Sequence, residues 1–169
     1  VEFKGQGFAA VVKECKPFDA DAFPIALWAN PQNIEGAQVL AGRGAAGQQF
    51  TLYLYRDRVR MLVEFTGGRY THANVPLPRP GVWTHYAGTD DGRQIKLFVN
   101  GKLEATATAV GRAPSSEAPL FIGGIQSGER SLVGRLDHVR FYTRALADDA
   151  SPALMAEPRQ PDAALVGRW

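Results

Sequence analysis

The stretch Trp83–Thr106, WTHYAGTDDGRQIKLFVNGKLEAT, constrains this chain more than any other. Asn100-Gly101 stands between two runs of alternating residues. A two-residue type I′ turn needs φ > 0 at both central positions, and Asn followed by Gly supplies that at little steric cost. Asp90-Asp91-Gly92 is a second turn signal upstream. Together they predict a three-stranded antiparallel meander: Trp83–Thr89, Gln94–Val99 and a strand leaving at Lys102.

The same pattern recurs along the chain. Val1–Lys13 alternates weakly and reads as one or two short strands. Phe23, Ile25 and Leu27 alternate with Pro24, Ala26 and Trp28, a strand with one apolar face and a proline near its start. Lys16–Asp21 and Asn30–Gly36 read as loops around it. Val39–Ala41 is a short strand before the glycine-rich loop Gly42–Gly47. That loop lacks the Lys-Ser/Thr ending of a phosphate cradle and no helix follows it, so a surface loop accounts for it better. Tyr70–Val75, Leu120–Gly123 and Leu132–Thr143 read as further strands, with a loop at Gly111–Pro119. Helical periodicity amounts to at most one turn at Pro152–Ala156. The fold class is all-β, an antiparallel sandwich.

One hairpin can be read in detail. In Gln49–Tyr55, Phe50, Leu52 and Leu54 share a face; in Val59–Phe65, Val59, Met61, Val63 and Phe65 do. A two-residue turn at Asp57-Arg58 pairs Leu54 with Met61, Leu52 with Val63 and Phe50 with Phe65. A three-residue turn would set Arg60 and Glu64 among the leucines. Register follows the buried face, so the two-residue turn is expected. The opposite face then carries Thr51, Tyr53, Tyr55, Arg60, Leu62 and Glu64.

Composition narrows the function classes. A chain of 169 residues suits one domain, and at that size roughly 70% of the unfolded surface is buried without help from metals or disulfides. The net charge is only +2, and no basic run is interleaved with aromatics, which argues against nucleic acid as partner. Cys15 is the only cysteine, so neither an intrachain disulfide nor a thiolate zinc cluster can form; a small buried apolar side chain is the plainer account of it. No apolar run approaches the ~20 residues of a membrane helix. The chain opens directly on strand-like sequence without a basic-then-apolar leader, as a segment of a longer protein would.

Several of these stretches resemble bacterial laminin-G-like, concanavalin-A-like jelly-roll domains. The central pattern W-x-H-x-A-x-T-x-D-G, followed by an apolar strand ending in N-G-K, stands here as Trp83, His85, Ala87, Thr89, Asp91 and Gly92, then Leu97 to Lys102. Pro119–Gly124 and Gly134–Leu146 continue the resemblance, and Val1–Gly5 and Phe23–Trp28 fit its opening strands. It covers most of Val1–Leu146, which is expected to form the sandwich. Residues 147–163, rich in Ala, Asp, Pro and Arg, look like a linker. For 164–169 two readings compete: the first strand of a following repeat, or an edge strand folded back on this domain.

Chemistry-bearing residues are sparse. Jelly-roll glycan hydrolases resemble one another in a Glu-x-Asp-x-Glu strand, which sets an acid and a nucleophile about 5–5.5 Å apart on one face. Here Glu2, Glu14, Glu35, Glu64, Glu104 and Glu117 are isolated. Asp90-Asp91 belongs to a turn. His72, His85 and His138 lack ligand spacing; His85 reads as a structural histidine, and Trp28 and Trp83 as core. The polar-aromatic face of Tyr53, Tyr55, Arg60 and Glu64 is a candidate glycan surface. Tyrosine rings stack on sugar faces, and Arg and Glu offer directional hydrogen bonds. An ordinary exposed strand face explains the same residues.

Asp137 is the second candidate. Strict alternation puts it with Val139 and Phe141, facing the core, where a carboxylate is costly unless paired or coordinated. It could cap backbone N–H groups. Alternatively, the resemblance implies a structural Ca²⁺ at the matching Asp. The resemblance places the companion ligands in an N-terminal segment that this sequence is not expected to supply.

The resemblance and the missing catalytic groups together imply a non-catalytic module. It would bind a glycan or glycoprotein within a larger secreted or surface protein, alongside other domains of the same polypeptide. A structural or adhesive protein-contact domain is the alternative, and a glycan hydrolase or lyase comes third.

Overall fold

Alternation becomes two layers of antiparallel strands. The computed structural model describes residues 1–5, 10–12, 22, 24–44, 49–111, 113–114, 118–125, 127–143, 145, 151–155 and 165–168. Cys15, Glu14, Glu117, the expected loop Lys16–Asp21, half of the glycine-rich loop and most of the linker-like stretch lie outside them.

The strands, in chain order, are β1 (Glu2–Lys4), β2 (Ala10–Val12), β3 (Ile25–Pro31), β4 (Ala37–Arg43), β5 (Phe50–Tyr55), β6 (Arg58–Phe65), β7 (Arg69–Pro76), β8 (Thr84–Asp90), β9 (Gln94–Val99), β10 (Lys102–Thr108), β11 (Leu120–Ile122), β12 (Val133–Tyr142) and β13 (Leu165–Arg168), with one short helix, α1 (Ser151–Met155), between the last two. The first sheet runs β1-β12-β3-β8-β9-β10, and β13 pairs β12 beyond β1. The second runs β2-β11-β4-β5-β6-β7. Their inner faces enclose one core. Ile25, Leu27, Tyr86, Leu97 and Phe141 meet Phe50, Leu52, Met61, Val63 and Leu120, all buried. The Phe50 and Phe141 rings, 6.4 Å apart, join the layers. Gly88 leaves room for the Met61 side chain, since a Cβ there would lie 2.7 Å from the Met61 sulfur.

The meander forms as expected. Asn100 and Gly101 take φ of 48° and 81°, the values a type I′ turn demands. Asp91 Oδ1 accepts the N–H groups of Arg93 and Gln94, which fixes the upstream turn. Strand β8 starts at Thr84, one residue later than expected, and Trp83 is 41% exposed rather than core. The pairing of β3 with β8 ends at Ala29–Thr84, one residue short of Trp83.

The β5–β6 turn also differs. The two-residue loop is Arg56-Asp57, with Tyr55 opposite Arg58, Leu54 opposite Val59 and Leu52 opposite Met61. Arg56 reverses the chain at φ 54°, and Arg58 joins β6, paired on its other side with Pro76. The slip from the expected register is two residues. An even slip preserves which side chains share a face, so the face assignments hold.

Asp137 is the larger correction. Opposite the step Trp28 to Ala26 in β3, strand β12 advances from Asp137 to Arg140, one residue too many. The extra residue is a bulge with His138 at φ 50°. Alternation restarts after it, so Leu136, Val139 and Phe141 are all buried while Asp137 is 59% exposed at its side chain. The carboxylate does not face the core.

The C-terminal strand settles onto this domain. Strand β13 pairs antiparallel with β12 through Arg140–Arg168 and Tyr142–Leu165. Within the linker-like stretch, α1 lies on the outer face of the first sheet. Leu154 and Leu165 pack on Ala26, Ala87, Phe98 and Tyr142.

Candidate functional site

The outer face of the second sheet holds a groove of about 500 Å³. Cross-strand pairing builds it row by row. Val39 of β4, Tyr53 of β5, Arg60 of β6 and Asn74 of β7 form one row; Thr51, Leu62 and His72 form the next; Glu64 and Tyr70 form the last. The expected residues Tyr53, Tyr55, Arg60 and Glu64 therefore do share one surface. Tyr53, Tyr55 and Glu64 line the groove. Arg60 lies over the Tyr55 ring, its guanidinium carbon 4.9 Å from the ring centroid, within cation–π range. The rings of Tyr53 and Tyr55 sit 6.4 Å apart, tilted by 41°. Both are half-buried, so each is held by the sheet while part of its surface stays open.

Three residues of this surface were not singled out from the sequence. Tyr70, 65% exposed, stands opposite Glu64 and lines the groove. Its parity with His72 and Asn74, against Thr71, Ala73 and Val75, was the available signal. His72 sits in the middle row, its pKa lowered by partial burial and then by the Arg60 charge. Arg130 has no local signal, because it arrives from the loop between β11 and β12. Beside a bulge in β4 between Val39 and Ala41, the Val39 N–H donates to the Arg130 carbonyl at 2.8 Å. That bond brings Arg130 to the groove wall.

Such a surface can stack planar apolar faces on its tyrosines and hydrogen-bond through phenol, carboxylate and guanidinium groups. A glycosidase-type mechanism needs two placed carboxyl groups. Among the described residues lining the groove, Glu64 is the one carboxylate.

Elsewhere the expected residues take structural parts. Asp137 Oδ1 accepts the N–H of His138, and its other oxygen lies 3.1 Å from His138 Nδ1. The capping account fits this geometry. Among the described residues no three His, Cys, Asp or Glu side chains gather to hold a metal. His85 is fully buried under α1, and Trp28 packs edge-on against it at 5.4 Å. Burial, then the nearby Arg140 charge, depress the His85 pKa to about 4, against a weaker opposing pull from the Leu154 backbone. Arg140, itself buried, donates to the Leu154 carbonyl at 2.9 Å, and the Trp28 indole N–H donates to that of Met155 at 3.3 Å. The short helix is thus tied down by polar bonds over an apolar patch.

Solved structures with this architecture were found at low sequence identity. A putative carbohydrate binding protein from Bacteroides ovatus superposes with a TM-score of 0.75 at 18% identity, over 99% of this chain and 50% of that one. A native heptameric SAP-like pentraxin from Limulus polyphemus gives 0.70 at 13%, over 92% and 80%. The binding domain of botulinum neurotoxin serotype G gives 0.66 at 10%, over 90% and 45%. This chain thus spans about half the length of the first and third of these. No curated protein matches in sequence. Residues 4–150 match the concanavalin A-like lectin/glucanases superfamily, in its laminin-G-like branch. With two antiparallel layers and a match over most of its length, the chain belongs to that superfamily and is a concanavalin-A-like jelly roll.

Proposed function

We propose that this domain binds carbohydrate or glycoconjugate without transforming it, as a module of a larger secreted or surface protein. The observation that carries the reading is the groove on the second sheet, where Tyr53, Tyr55 and Tyr70 gather beside Glu64. The rings offer flat apolar area, and the sheet holds two of them half-buried, which limits the ordering cost of binding. The Bacteroides neighbour, titled a putative carbohydrate binding protein, supports the same reading. That Glu64 is the one carboxylate among the described lining residues supports binding over hydrolysis. A structural role would be favoured by a tail lying across this face; α1 and β13 pack on the other sheet.

Replacing Tyr53 and Tyr55 by alanine tests it. Retention on immobilised glycans falls below detection, while the melting temperature drops by no more than about 4 °C, since a change of ~1 kcal/mol moves Tm by ~2–4 °C at this size. A wild-type domain that binds nothing on a broad glycan array defeats the proposal.

A further inference from the structure

The outer face of the first sheet holds a buried histidine that the groove does not use. Strand pairing sets Asp137, Trp28, His85 and Asn100 in one row across β12, β3, β8 and β9, and Arg140, Ala26, Ala87 and Phe98 in the next. Helix α1 lies over both rows, touching Trp28 and Arg140 through its last carbonyls and the apolar row through Leu154. We propose that α1 is an acid-released strap: protonation of His85 lifts it from the first sheet and bares Trp28, Ala26, Ala87 and Phe98.

The ring is placed where a charge is costly. His85 is fully buried, and neither ring nitrogen has a hydrogen-bond partner among the described residues. The Leu154 carbonyl, which pulls on the ring, is already taken by Arg140 at 2.9 Å. A neutral imidazole leaves one donor and one acceptor unpaired there. An imidazolium would bury two N–H donors and a full charge.

The surrounding charges do not relieve it. Arg140 of β12 is the charge acting on the ring among the described residues, and it repels a second cation. Arg168 of β13, opposite Arg140 and exposed, adds to the positive side. Asp137, on the same row as His85, is turned to His138 and is 59% exposed at its side chain. Lys96, further along β9, lies 3.9 Å from Asp91. The nearer residues of β3, β8 and β9 on this face, Trp28, Ala26, Ala87, Asn100 and Phe98, are uncharged, and so is every residue of α1.

The strap itself is weakly held. Five residues are far fewer than the ~12–15 at which a free helix becomes marginal. Among the described residues its polar ties to the sheet are two, Arg140 to the Leu154 carbonyl and the Trp28 indole to that of Met155 at 3.3 Å. Such a segment opens locally while the core stays folded. The sign of the response follows. With α1 docked, burial and then the Arg140 charge hold the His85 pKa at about 4, against an ordinary 6.5. Docking is therefore fully favoured above pH 6.5 and weakens by about tenfold per pH unit as pH falls toward 4.

Methyl NMR of the full chain with a soluble nitroxide reads the cover directly, because the nitroxide broadens methyl signals that solvent reaches. Ala26 and Ala87 lie under Leu154 of α1, whereas Leu52 lies between the sheets. From pH 7 to pH 4.5, broadening at Ala26 and Ala87 should rise at least about tenfold, with Leu52 unchanged. His85→Gln keeps a polar side chain that does not titrate, and its broadening should stay within about twofold over the same range. Leu154→Ala loosens the strap from outside the sheet, so the His85 pKa, followed by proton NMR, should rise from about 4 toward 6.5. Ala26 and Ala87 still shielded in the wild type at pH 4.5 overturn the proposal. Leu52 broadening in step with them also overturns it, because the domain then unfolds as a whole. An undiminished acid response in His85→Gln overturns the assignment to His85. If His85→Gln does not fold, Leu154→Ala decides: a raised His85 pKa supports the strap, and an unmoved one overturns it.

Discussion

The two sheets expose comparable outer faces and finish them in opposite ways. On the first sheet, Ala26, Ala87, Phe98 and Tyr142 form an apolar patch that α1 and β13 cover. On the second, Tyr53, Tyr55, Leu62 and Tyr70 form a patch that neither of these elements reaches. One histidine marks each face. His85, under the helix, has its pKa pushed down to about 4; His72, on the open face, is depressed less. The contrast shows that a sandwich of this kind becomes interior or binding surface according to which remote segment returns to it. The strand sequences alone do not decide this.

The sharpest way to break the comparison is to truncate one aromatic on each face. Phe98 is fully buried on the covered side, and Phe98→Ala should cost about 3–5 kcal/mol. At ~2–4 °C per kcal/mol, the melting temperature falls by about 10 °C. Tyr70 projects from the open side, and Tyr70→Ala should change stability by no more than about 0.5 kcal/mol. Calorimetric melts that move equally in the two variants would mean the faces are not distinct.

Titration sharpens it next, on a single strand. Burial raises the Asp90 pKa to about 6 against an ordinary 3.8, even though its Oδ1 accepts the Gly92 N–H, and the neighbouring Asp91 charge adds to the rise. A raised folded-state pKa contributes stability that is present below pH 3.8 and lost as pH climbs through about 6. His85 works in the other direction. Its depressed pKa contributes stability present above pH 6.5 and lost as pH falls through about 4. Each shift corresponds to about 3 kcal/mol at 1.36 kcal/mol per unit, so across this window the two nearly cancel. Asp90→Asn keeps the acceptor and removes the titration. In that variant, denaturant midpoints should fall between pH 6.5 and 4 more steeply than in the wild type, and stability at pH 8 should rise. A variant whose pH profile parallels the wild type would show that Asp90 is not perturbed. Proton NMR should find His85 titrating below His72.

Legibility followed sequence distance. The meander was readable because Asn100-Gly101 dictates its own backbone. The Tyr53, Tyr55, Arg60 and Glu64 face was readable because parity survives an even slip of register. Asp137 was misread because a single inserted residue, His138, reverses parity, and nothing in Leu-Asp-His-Val announces a bulge. Arg130 and the cover over His85 depend on contacts between segments far apart in sequence, which periodicity does not encode.

The smallest expected effect concerns calcium. The case for a coordinated Asp137 began with its supposed place in the core. The bulge turns it outward, where one oxygen already accepts the His138 N–H and the other lies 3.1 Å from the imidazole. A carboxylate in that setting pays little desolvation cost and needs no cation to offset it. An ion that binds only the native state raises apparent stability by mass action, by about 2.7 kcal/mol at a hundredfold excess over its dissociation constant. Melts in millimolar calcium and in excess chelator should therefore coincide to within about 1 °C if no such ion is held, well below the ~2–4 °C that even 1 kcal/mol would produce. A rise of several degrees in calcium, abolished by Asp137→Asn, would restore the metal to this position. It would then be an exposed site on the outer face of the first sheet, the face on which α1 packs.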